Sequence, residues 1–409
     1  MKAVISDRIY LEVLPHQQQK IDKELTYAIP SFKYGDPPLI IKNMAMIRQG
    51  LVAIPVGRLD LIPTDHEITD KRTDIPVEFP KFNLTLRPSQ QEVYDQIGDG
   101  GIINAWVSWG KTFTGLAIAG KLGQKTLVVT HTLALRKQWE DEVEKVFGFK
   151  AGIIGSGKFE LDHPIVIGNI QSLYRKIPEI RQEFGTIILD EMHHVSSPTF
   201  TRIVDSNRAR YKIGLTGTPL IGNDLKSKHL FGNYIHKYYY NKSIADGYTL
   251  RLIREEIATE YQIKLQKALD QIDILKGGID KKDAYAHPSF VEPMLDYIVE
   301  DFEKFRAVKD DAGLGGMVIC DSSEQAEELY KIFKEKYGDG YQDIENNGIQ
   351  HQLGQAAEEP ESYNAKRKAS YTPKVAALIL FDSGSKEDLG RWRDAFKAGK
   401  VDFLFVYNM

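Results

Sequence analysis

Apolar residues follow two alternating patterns between residue 84 and about residue 250. Almost continuous apolar runs of strand length alternate with longer stretches in which apolar residues recur at helical spacing. A strand that is apolar on both faces is buried on both faces, so the alternation predicts a parallel sheet covered by helices. The predicted strands are 125–130, 165–167, 186–190 and 211–216. The predicted helices are 133–147 and 198–207.

Residues 1–80 show a different pattern. Their short β-prone runs are separated by Pro, Gly and Asp, which is typical of small β domains. We therefore expect a small, mainly β accessory domain that binds DNA, binds a partner or packs on the core. The polar stretch at 63–74 is interpreted as a linker or an exposed hairpin. The predicted strands are 8–13, 25–29, 38–41 and 50–57.

The alternation of strands and helices returns in the last third of the chain. A helical, charged stretch at 251–310 leads into it, and a polar, irregular segment at 338–373 interrupts it. We therefore expect three domains, at 1–80, 81–250 and 251–409. The elements predicted for the last domain are strands at 316–320, 374–380 and 401–406 and helices at 323–334 and 387–398.

Composition narrows the class of protein. Of 409 residues, 42% are hydrophobic, so buried cores are expected throughout. The net charge of −4 neither indicates nor excludes nucleic-acid binding, because a binding cleft needs only a local basic lining. Cys320 is the one cysteine, so no intrachain disulfide can form. Because no signal pattern or membrane-length apolar run is found, we expect a cytoplasmic protein without membrane partners.

Residues 105–112 have the composition of a phosphate-binding loop. They lie between a predicted strand at 101–104 and a predicted helix at 113–122, the order that such a loop requires. Backbone N–H groups and the helix dipole would face the phosphates, with Lys111 reaching the outer ones and Thr112 holding magnesium. The loop is predicted from Ala105, Trp106, Val107, Ser108, Trp109, Gly110, Lys111 and Thr112.

The loop departs from the usual pattern at three positions. Ala105 replaces the first glycine, and Ser108 and Trp109 lie where small residues are common. The alternative interpretation is an ordinary turn with an exposed lysine. Other parts of the chain must decide between the two.

An acidic pair follows the apolar run that begins at Thr186. Asp190 and Glu191 would lie at the carboxyl end of a strand, where the ligand crevice of a parallel sheet is found. Asp190 is therefore predicted to bind magnesium, and Glu191 to orient and deprotonate the water that attacks the γ-phosphate. A solvated acidic pair at a strand end is the alternative.

Polar residues after two strands suggest a link between these motifs. His193 is predicted to couple the acidic pair to the turn at Thr216, Gly217 and Thr218, which follows another apolar run. A simple β-turn is the alternative for that turn. A metal site at His193 and His194 is not favoured, because adjacent side chains rarely converge on one ion.

In this order the motifs resemble those of the superfamily 2 helicases and nucleic-acid translocases. Leu86 to Gln91 resembles the adenine-side motif, so Arg87 and Gln90 are expected to contact the nucleotide. The segment 105–112 resembles the Walker A motif, 190–193 the Asp-Glu-x-His box and 215–219 the third motif. Further matches to family motifs are found at 129–133, 170–173 and 316–321.

The resemblance implies an α/β fold with two RecA-like parallel-sheet domains, ATP and Mg²⁺ between them, and a nucleic-acid strand across both. It is closest to the DNA-directed branch, which includes phage branch-migration helicases, excision-repair type helicases and type I restriction motor subunits. Sequence-tolerant contacts to strand phosphates are expected from the first domain. The residues expected to make them are Thr130, Thr132, Arg136, Gln171 and Ser172.

The function implied is an ATP-dependent DNA helicase or translocase acting on single, forked or branched DNA in recombination, replication or repair. The phage-type resemblance would place it in the cytoplasm of an infected host. A restriction motor, an RNA helicase and a nucleotide-gated DNA clamp are the alternatives. The oligomeric state is not predicted, although a monomer is favoured.

One feature of the family is not found. Its fifth and sixth motifs, which include the arginine fingers, would follow the predicted strand at 401–406, and Met409 is reached before either of them. We therefore expect the second domain to be incomplete here and the chain to be part of a longer protein. Without an arginine finger, ATP hydrolysis would be slow.

Overall fold

The computed structural model describes residues 1–29, 37–81, 85–196, 198–218, 224–251, 267, 270, 285–309, 313–340, 375–380 and 386–407. The chain divides into two compact units, Met1–Leu252 and Ile253–Met409. Among the described helices, none is long and apolar enough to span a membrane.

A mainly β region opens the first unit, as predicted. Its five-stranded sheet has the order β5-β6-β2-β1-β7, and β3 and β4 pair separately as antiparallel strands. Alternate residues of β2 and β6, among them Ile9, Leu11, Val52 and Ile54, form its core. The elements are β1 (Lys2–Ile5), β2 (Arg8–Glu12), α1 (Pro15–Leu25), β3 (Thr26–Ile29), β4 (Leu39–Lys42), β5 (Ala45–Arg48), β6 (Leu51–Pro55) and β7 (Glu67–Asp70).

Two expectations for this region are corrected. The stretch 63–74 was expected to be a linker or an exposed hairpin, but it contains β7, which pairs in parallel with β1 at the sheet edge. All four residues of β7 are exposed, so its sequence lacks the apolar alternation that would identify a strand. Helix α1 was not predicted, because it buries only Ile21 and Leu25.

An eight-stranded sheet forms the centre of the first unit, in the order β11-β10-β12-β9-β13-β14-β8-β15. All neighbouring strands are parallel except β10 and β11. Its strands are β8 (Gly100–Ala105), β9 (Thr126–Thr130), β10 (Gly152–Gly155), β11 (Lys158–Phe159), β12 (Ile165–Asn169), β13 (Thr186–Leu189), β14 (Tyr211–Thr216) and β15 (Tyr234–Tyr238).

Helices cover both faces of this sheet, which confirms the prediction. Within β9, Leu127 and Val129 belong to one apolar cluster and Val128 to the other. The helices are α2 (Pro88–Gln96), α3 (Lys111–Leu122), α4 (Leu133–Phe147), α5 (Ile170–Tyr174), α6 (Ile177–Ile180), α7 (Pro198–Ser206), α8 (Asp224–Phe231) and α9 (Tyr240–Ala245).

Ion pairs attach the β-rich region to the large sheet. Asp7 lies 2.6 Å from Arg181, and Arg72 lies 2.6 Å from Asp99. The backbone of Gly57 also lies against α8, where its N–H donates to the carbonyl of His229 at 2.9 Å. The two sheets therefore belong to one packed unit.

The second unit is also α/β. Its four strands are all parallel, in the order β16-β19-β18-β17. Most of residues 251–284, in the predicted helical segment 251–310, and most of the irregular segment 338–373 lie outside the described residues. The described elements are α10 (Pro288–Lys309), β16 (Gly316–Ile319), α11 (Ser323–Lys336), β17 (Asp339–Gly340), β18 (Val375–Leu380), α12 (Lys386–Lys397) and β19 (Phe403–Tyr407).

Candidate functional site

Three adjacent strands of the large sheet bring the predicted motifs together. Strands β13, β14 and β8 are neighbours, and all three are parallel. At their carboxyl ends lie the acidic pair, the turn at 216–218 and the loop at 106–110. Parallel sheets bind ligands at this edge.

Backbone conformation explains the glycine of the loop. Gly110 caps α3 with φ +92°, a left-handed conformation that favours glycine. A Cβ atom at this position would lie 2.7 Å from Nε2 of Gln90. Lys111 begins the helix, and its Nζ donates to the carbonyl of Ala105 at 3.0 Å. The loop thus curves around the lysine amine, as binding of an outer phosphate requires.

The unusual Trp109 is a core residue. Its side chain is fully buried, its Nε1 donates to Oγ of Ser89 at 2.9 Å, and its ring stacks on His236. Val107, in contrast, is exposed. Of the residues predicted to bind the cofactor, Trp109 can therefore offer only its backbone, while its side chain anchors the loop.

Gln90 and Arg87 support the same loop. Gln90 is buried, its Nε2 donates to the carbonyl of Trp109 at 2.8 Å, and its Oε1 accepts from the Arg87 N–H at 2.9 Å. Arg87 donates from Nη1 to the carbonyl of Ser108 at 3.1 Å and packs on the ring of Tyr248. One N–H of Nε2 and one lone pair of Oε1 are not used by these two bonds, so the amide could still contact an adenine.

Asp190 is buried without an ion-pair partner among the described residues. Only 5% of the residue is exposed. Its Oδ2 accepts from Nε1 of Trp139 at 2.8 Å, and its Oδ1 accepts from the Glu191 N–H at 3.0 Å. Burial raises the pKa of Asp190, and the indole hydrogen bond opposes that rise only in part. A bound cation would compensate the buried charge.

Glu191, His193 and the turn after β14 are in contact. Nδ1 of His193 lies 3.3 Å from Oε2 of Glu191 and 3.1 Å from Oγ1 of Thr216, so a proton on Nδ1 can be shared between the two oxygens. The Thr218 N–H donates to the same hydroxyl at 3.2 Å. Burial lowers the pKa of His193, which keeps the imidazole neutral near pH 7. Glu191 has φ +51°, a strained conformation typical of functional sites.

The donor atoms present fit a magnesium nucleotide. Mg²⁺ prefers oxygen ligands and is usually held by one or two carboxylates together with phosphates. The buried Asp190 carboxylate and the Thr112 hydroxyl are ligands of that kind. The amine of Lys111 lies between the loop and the turn, 3.1 Å from where a Cβ on Gly217 would be.

The residues predicted to contact a nucleic-acid strand lie further along the same edge. Arg136 donates from Nη1 to Oγ of Ser156 at 3.1 Å, and Oγ of Ser172 lies 3.0 Å from the Cβ position of Gly155. Thr132 is exposed and caps α4, where its Oγ1 accepts from the Leu135 N–H.

The other two predicted contacts differ from each other. Gln171 is exposed on α5, whereas Thr130 is fully buried at the end of β9. Four of the five predicted side chains thus reach the surface at least partly, and that of Thr130 does not.

Several neighbours of the site were not predicted. The turn at 155–157 has three consecutive positive φ angles of 138°, 53° and 81°. The sequence Gly-Ser-Gly between two β-prone pairs is a hairpin signal that would have located it. Trp139 lies on the buried face of α4, but no local pattern predicts its bond to Asp190. Ring contacts of His194 with His131 at 4.5 Å and His193 at 4.3 Å were likewise not foreseen.

Comparison with known proteins finds helicases. Residues 83–221 match the family model described as type III restriction enzyme, res subunit. Probable helicase D10 of Escherichia phage T5 is 35% identical over 303 residues, which are 72% of this chain and 64% of that protein. DNA 3'-5' translocase XPB2 of Sulfurisphaera tokodaii is 32% identical over 181 residues, 40% of this chain and 41% of that protein.

A solved structure gives a weaker similarity. The UvsW helicase of bacteriophage T4 is 17% identical, with a TM-score of 0.44 over 57% of this chain and 99% of that one. The chain spans less than two thirds of the length of the curated relatives named above. In its ordered motifs, its α/β fold and its matches to D10 and XPB2, the chain is similar to the helicases of superfamily 2.

Proposed function

We propose that this protein is an ATP-dependent DNA translocase or helicase that couples ATP hydrolysis to movement on single strands or to remodelling of forked or branched DNA. One observation carries the proposal. A single sheet edge bears the phosphate loop and the acidic pair on β8 and β13 and, further along, the surface of Arg136 and Ser172. A strand bound there would lie in the same packed unit as the nucleotide.

The roles of the site residues follow from their positions. Lys111 would bind the outer phosphates, and Thr112 with Asp190 would hold Mg²⁺. When bound, Mg²⁺ would neutralise charge on the β- and γ-phosphates. Glu191 would take a proton from the attacking water, because its carboxylate adjoins the buried Asp190 and, among the residues that the structure describes, is paired only with a neutral imidazole. His193 contacts both Glu191 and Thr216 and would couple the acidic pair to the turn after β14.

Contacts to the strand would be sequence-tolerant. The exposed Thr132 and Gln171, together with Arg136 and Ser172, are suited to phosphate oxygens rather than to a set of base edges. Binding should therefore weaken as the salt concentration rises. The name of XPB2, a DNA translocase, supports DNA as the polymer.

RNA is the second candidate polymer. A protein of Acanthamoeba polyphaga mimivirus named putative ATP-dependent RNA helicase L396 is 35% identical over 153 residues. These residues are 35% of this chain and 29% of that protein, so the similarity covers less than that to D10.

ATP hydrolysis measured with different polymers tests the proposal. Single-stranded DNA, forked DNA, duplex DNA, RNA and no polymer are compared at equal nucleotide concentration. We expect the largest stimulation with forked or single-stranded DNA and none in Lys111→Ala, whose fold is checked by circular dichroism. Stimulation by RNA alone would establish the second candidate. Full hydrolysis by Lys111→Ala would remove the phosphate loop from the mechanism.

A further inference from the structure

The indole of Trp139 contacts the buried carboxylate of the candidate site. Trp139 is fully buried on α4, and its Nε1 donates to Oδ2 of Asp190 at 2.8 Å. Among the described residues, it is the only side chain that donates to that carboxylate. A carboxylate oxygen has two lone-pair positions, so Oδ2 can accept from the indole and still face a second partner. The bond fixes the plane of the carboxylate and leaves the second lone-pair position of Oδ2 available to a metal ion.

Packing holds the indole against the phosphate-loop helix. A Cβ on Gly115 of α3 would lie 3.0 Å from Cη2 of Trp139 and 3.3 Å from Cδ1 of Leu215. The ring therefore lies on bare backbone one turn after Lys111, between α3 and β14. A glycine at position 115 is what allows this close approach.

The neighbouring residue on α4 approaches the other predicted magnesium ligand. Nε2 of Gln138 lies 3.5 Å from Oγ1 of Thr112. Two consecutive residues of one helix thus face the hydroxyl and the carboxylate that would hold the metal. Arg136 lies one turn earlier on the same helix, where it bonds to Ser156 at the predicted strand-binding edge.

We infer that Trp139 is a positioning residue, whose N–H orients the Asp190 carboxylate for the magnesium of a bound nucleotide. Helix α4 also carries Arg136, so the proposed strand-binding surface and the proposed metal ligands contact the same helix. The inference rests on the proposed nucleotide site, and it concerns Trp139, a fully buried residue that is not among the proposed ligands of the nucleotide or the strand. Groups that orient metal ligands in this way typically contribute about 10- to 100-fold to metal affinity.

Nucleotide binding with and without metal tests the inference in the full chain. The affinity for a fluorescent ADP analogue is measured by anisotropy in EDTA and across a Mg²⁺ titration. In Trp139→Phe we expect the affinity in EDTA to stay within about twofold of wild type. The Mg²⁺ concentration for half-maximal binding should rise about tenfold or more, because only the metal depends on the oriented carboxylate.

Tyr337→Phe is the matched control. It also removes an aromatic donor to a carboxylate, since the Tyr337 hydroxyl lies 2.5 Å from Oδ1 of Asp296, but it does so in the second unit. We expect its Mg²⁺ dependence to equal that of wild type. If Trp139→Phe does not fold, benzothienylalanine at position 139 replaces the N–H by sulfur and keeps the shape of the ring.

The outcomes separate this inference from the proposed function. An unchanged Mg²⁺ requirement in the folded Trp139 variants would overturn the positioning role and leave the nucleotide site intact. An equal loss of affinity in EDTA and in Mg²⁺ would also overturn it, because that pattern indicates a collapsed pocket. If wild type binds no nucleotide in either condition, the proposed function fails and the inference fails with it.

Discussion

Each unit of the protein buries a carboxylate, and the two carboxylates differ in the charge of their hydrogen-bond donors. Asp190 in the first unit accepts hydrogen bonds from an indole and a backbone N–H, both neutral donors. Asp402 in the second unit lies 2.8 Å from Nη2 of Arg306, and both side chains are almost fully buried. Its Oδ2 also accepts from the Val375 N–H at 2.9 Å. Within the described parts of the chain, Asp402 has an ion-pair partner and Asp190 has none.

This difference is the one expected between a structural acid and the proposed functional one. Asp402 connects α10 to the starts of β18 and β19, and Arg306 donates in addition to the carbonyl of Leu314. An isolated buried carboxylate is costly, so it normally gains a partner or becomes protonated. Asp190 has no ion-pair partner among the described residues. A cation that enters with a ligand would supply one. Amide substitutions at the two positions should therefore have opposite consequences.

Asp190→Asn should give the largest effect, and on activity alone. If Asp190 holds magnesium as proposed, its loss removes several kcal/mol of charge stabilisation, so ATP hydrolysis should fall about 10³-fold or more. The free energy of unfolding should change by less than about 1.5 kcal/mol, because relief of a buried charge offsets one lost hydrogen bond. Steady-state hydrolysis and thermal unfolding check the two halves. A large loss of stability with activity retained would make Asp190 a structural residue.

Asp402→Asn should give the reverse result. The substitution removes the Asp402 charge from the buried guanidinium of Arg306, and breaking a buried ion pair typically costs about 3–5 kcal/mol. Denaturant unfolding followed by hydrogen exchange in 313–340 and 386–407 should show this loss in the second unit. Peptides from the first unit serve as the internal control. If exchange in the second unit is unchanged, the ion pair contributes nothing and the comparison with Asp190 fails.

The sequence predicted the position of Asp190 better than its environment. An apolar run followed by Asp-Glu indicates a strand end, and β13 ends at Leu189 as expected. The parallel strands were predictable because burial on both faces leaves a nearly continuous apolar run. The helix at 133–147 was predictable because its buried residues, Trp139, Val143 and Phe147, recur at helical spacing on one face.

What could not be predicted depends on distant contacts. Trp139 and Asp190 are 51 residues apart, and Arg306 and Asp402 are 96 apart. The pair Arg181 and Asp7, which attaches the β-rich region, spans 174 residues. No periodicity within one element encodes such partners. The exposed edge strand β7 was missed for a related reason, because it buries nothing that would mark it.

The first unit also buries His229, whose side-chain partner, Asn43, is neutral. Burial of this kind should keep the imidazole uncharged. Nδ2 of Asn43 lies 2.6 Å from Nδ1 of His229, and burial lowers the pKa of this imidazole to about 4. Since the folded-state pKa lies below the unfolded value of about 6.5, stability is complete above pH 6.5 and is lost as the pH falls towards 4.

The expected loss between pH 7 and pH 5 is about 1 kcal/mol, allowing for partial exposure of the ring. His229→Asn keeps an acceptor for Asn43 and should flatten this dependence in thermal unfolding. His16→Asn, at an exposed position, is the control and should leave the dependence as in wild type. An unchanged pH dependence in His229→Asn would show that the ring is not protonated on unfolding.

Glu142→Gln should give the smallest effect, because its carboxylate is partly exposed and water can take the place of its lysine partner. Glu142 lies on α4, the helix of Trp139, and its Oε1 is 3.3 Å from Nζ of a largely exposed Lys145. Exposed pairs of this spacing contribute less than about 0.5 kcal/mol. Chemical denaturation should therefore give a midpoint close to that of wild type, with hydrolysis unchanged. A loss above about 1 kcal/mol would mean that burial does not decide how the chain responds to losing a carboxylate. The contrast between Asp190 and Asp402 would then need another cause.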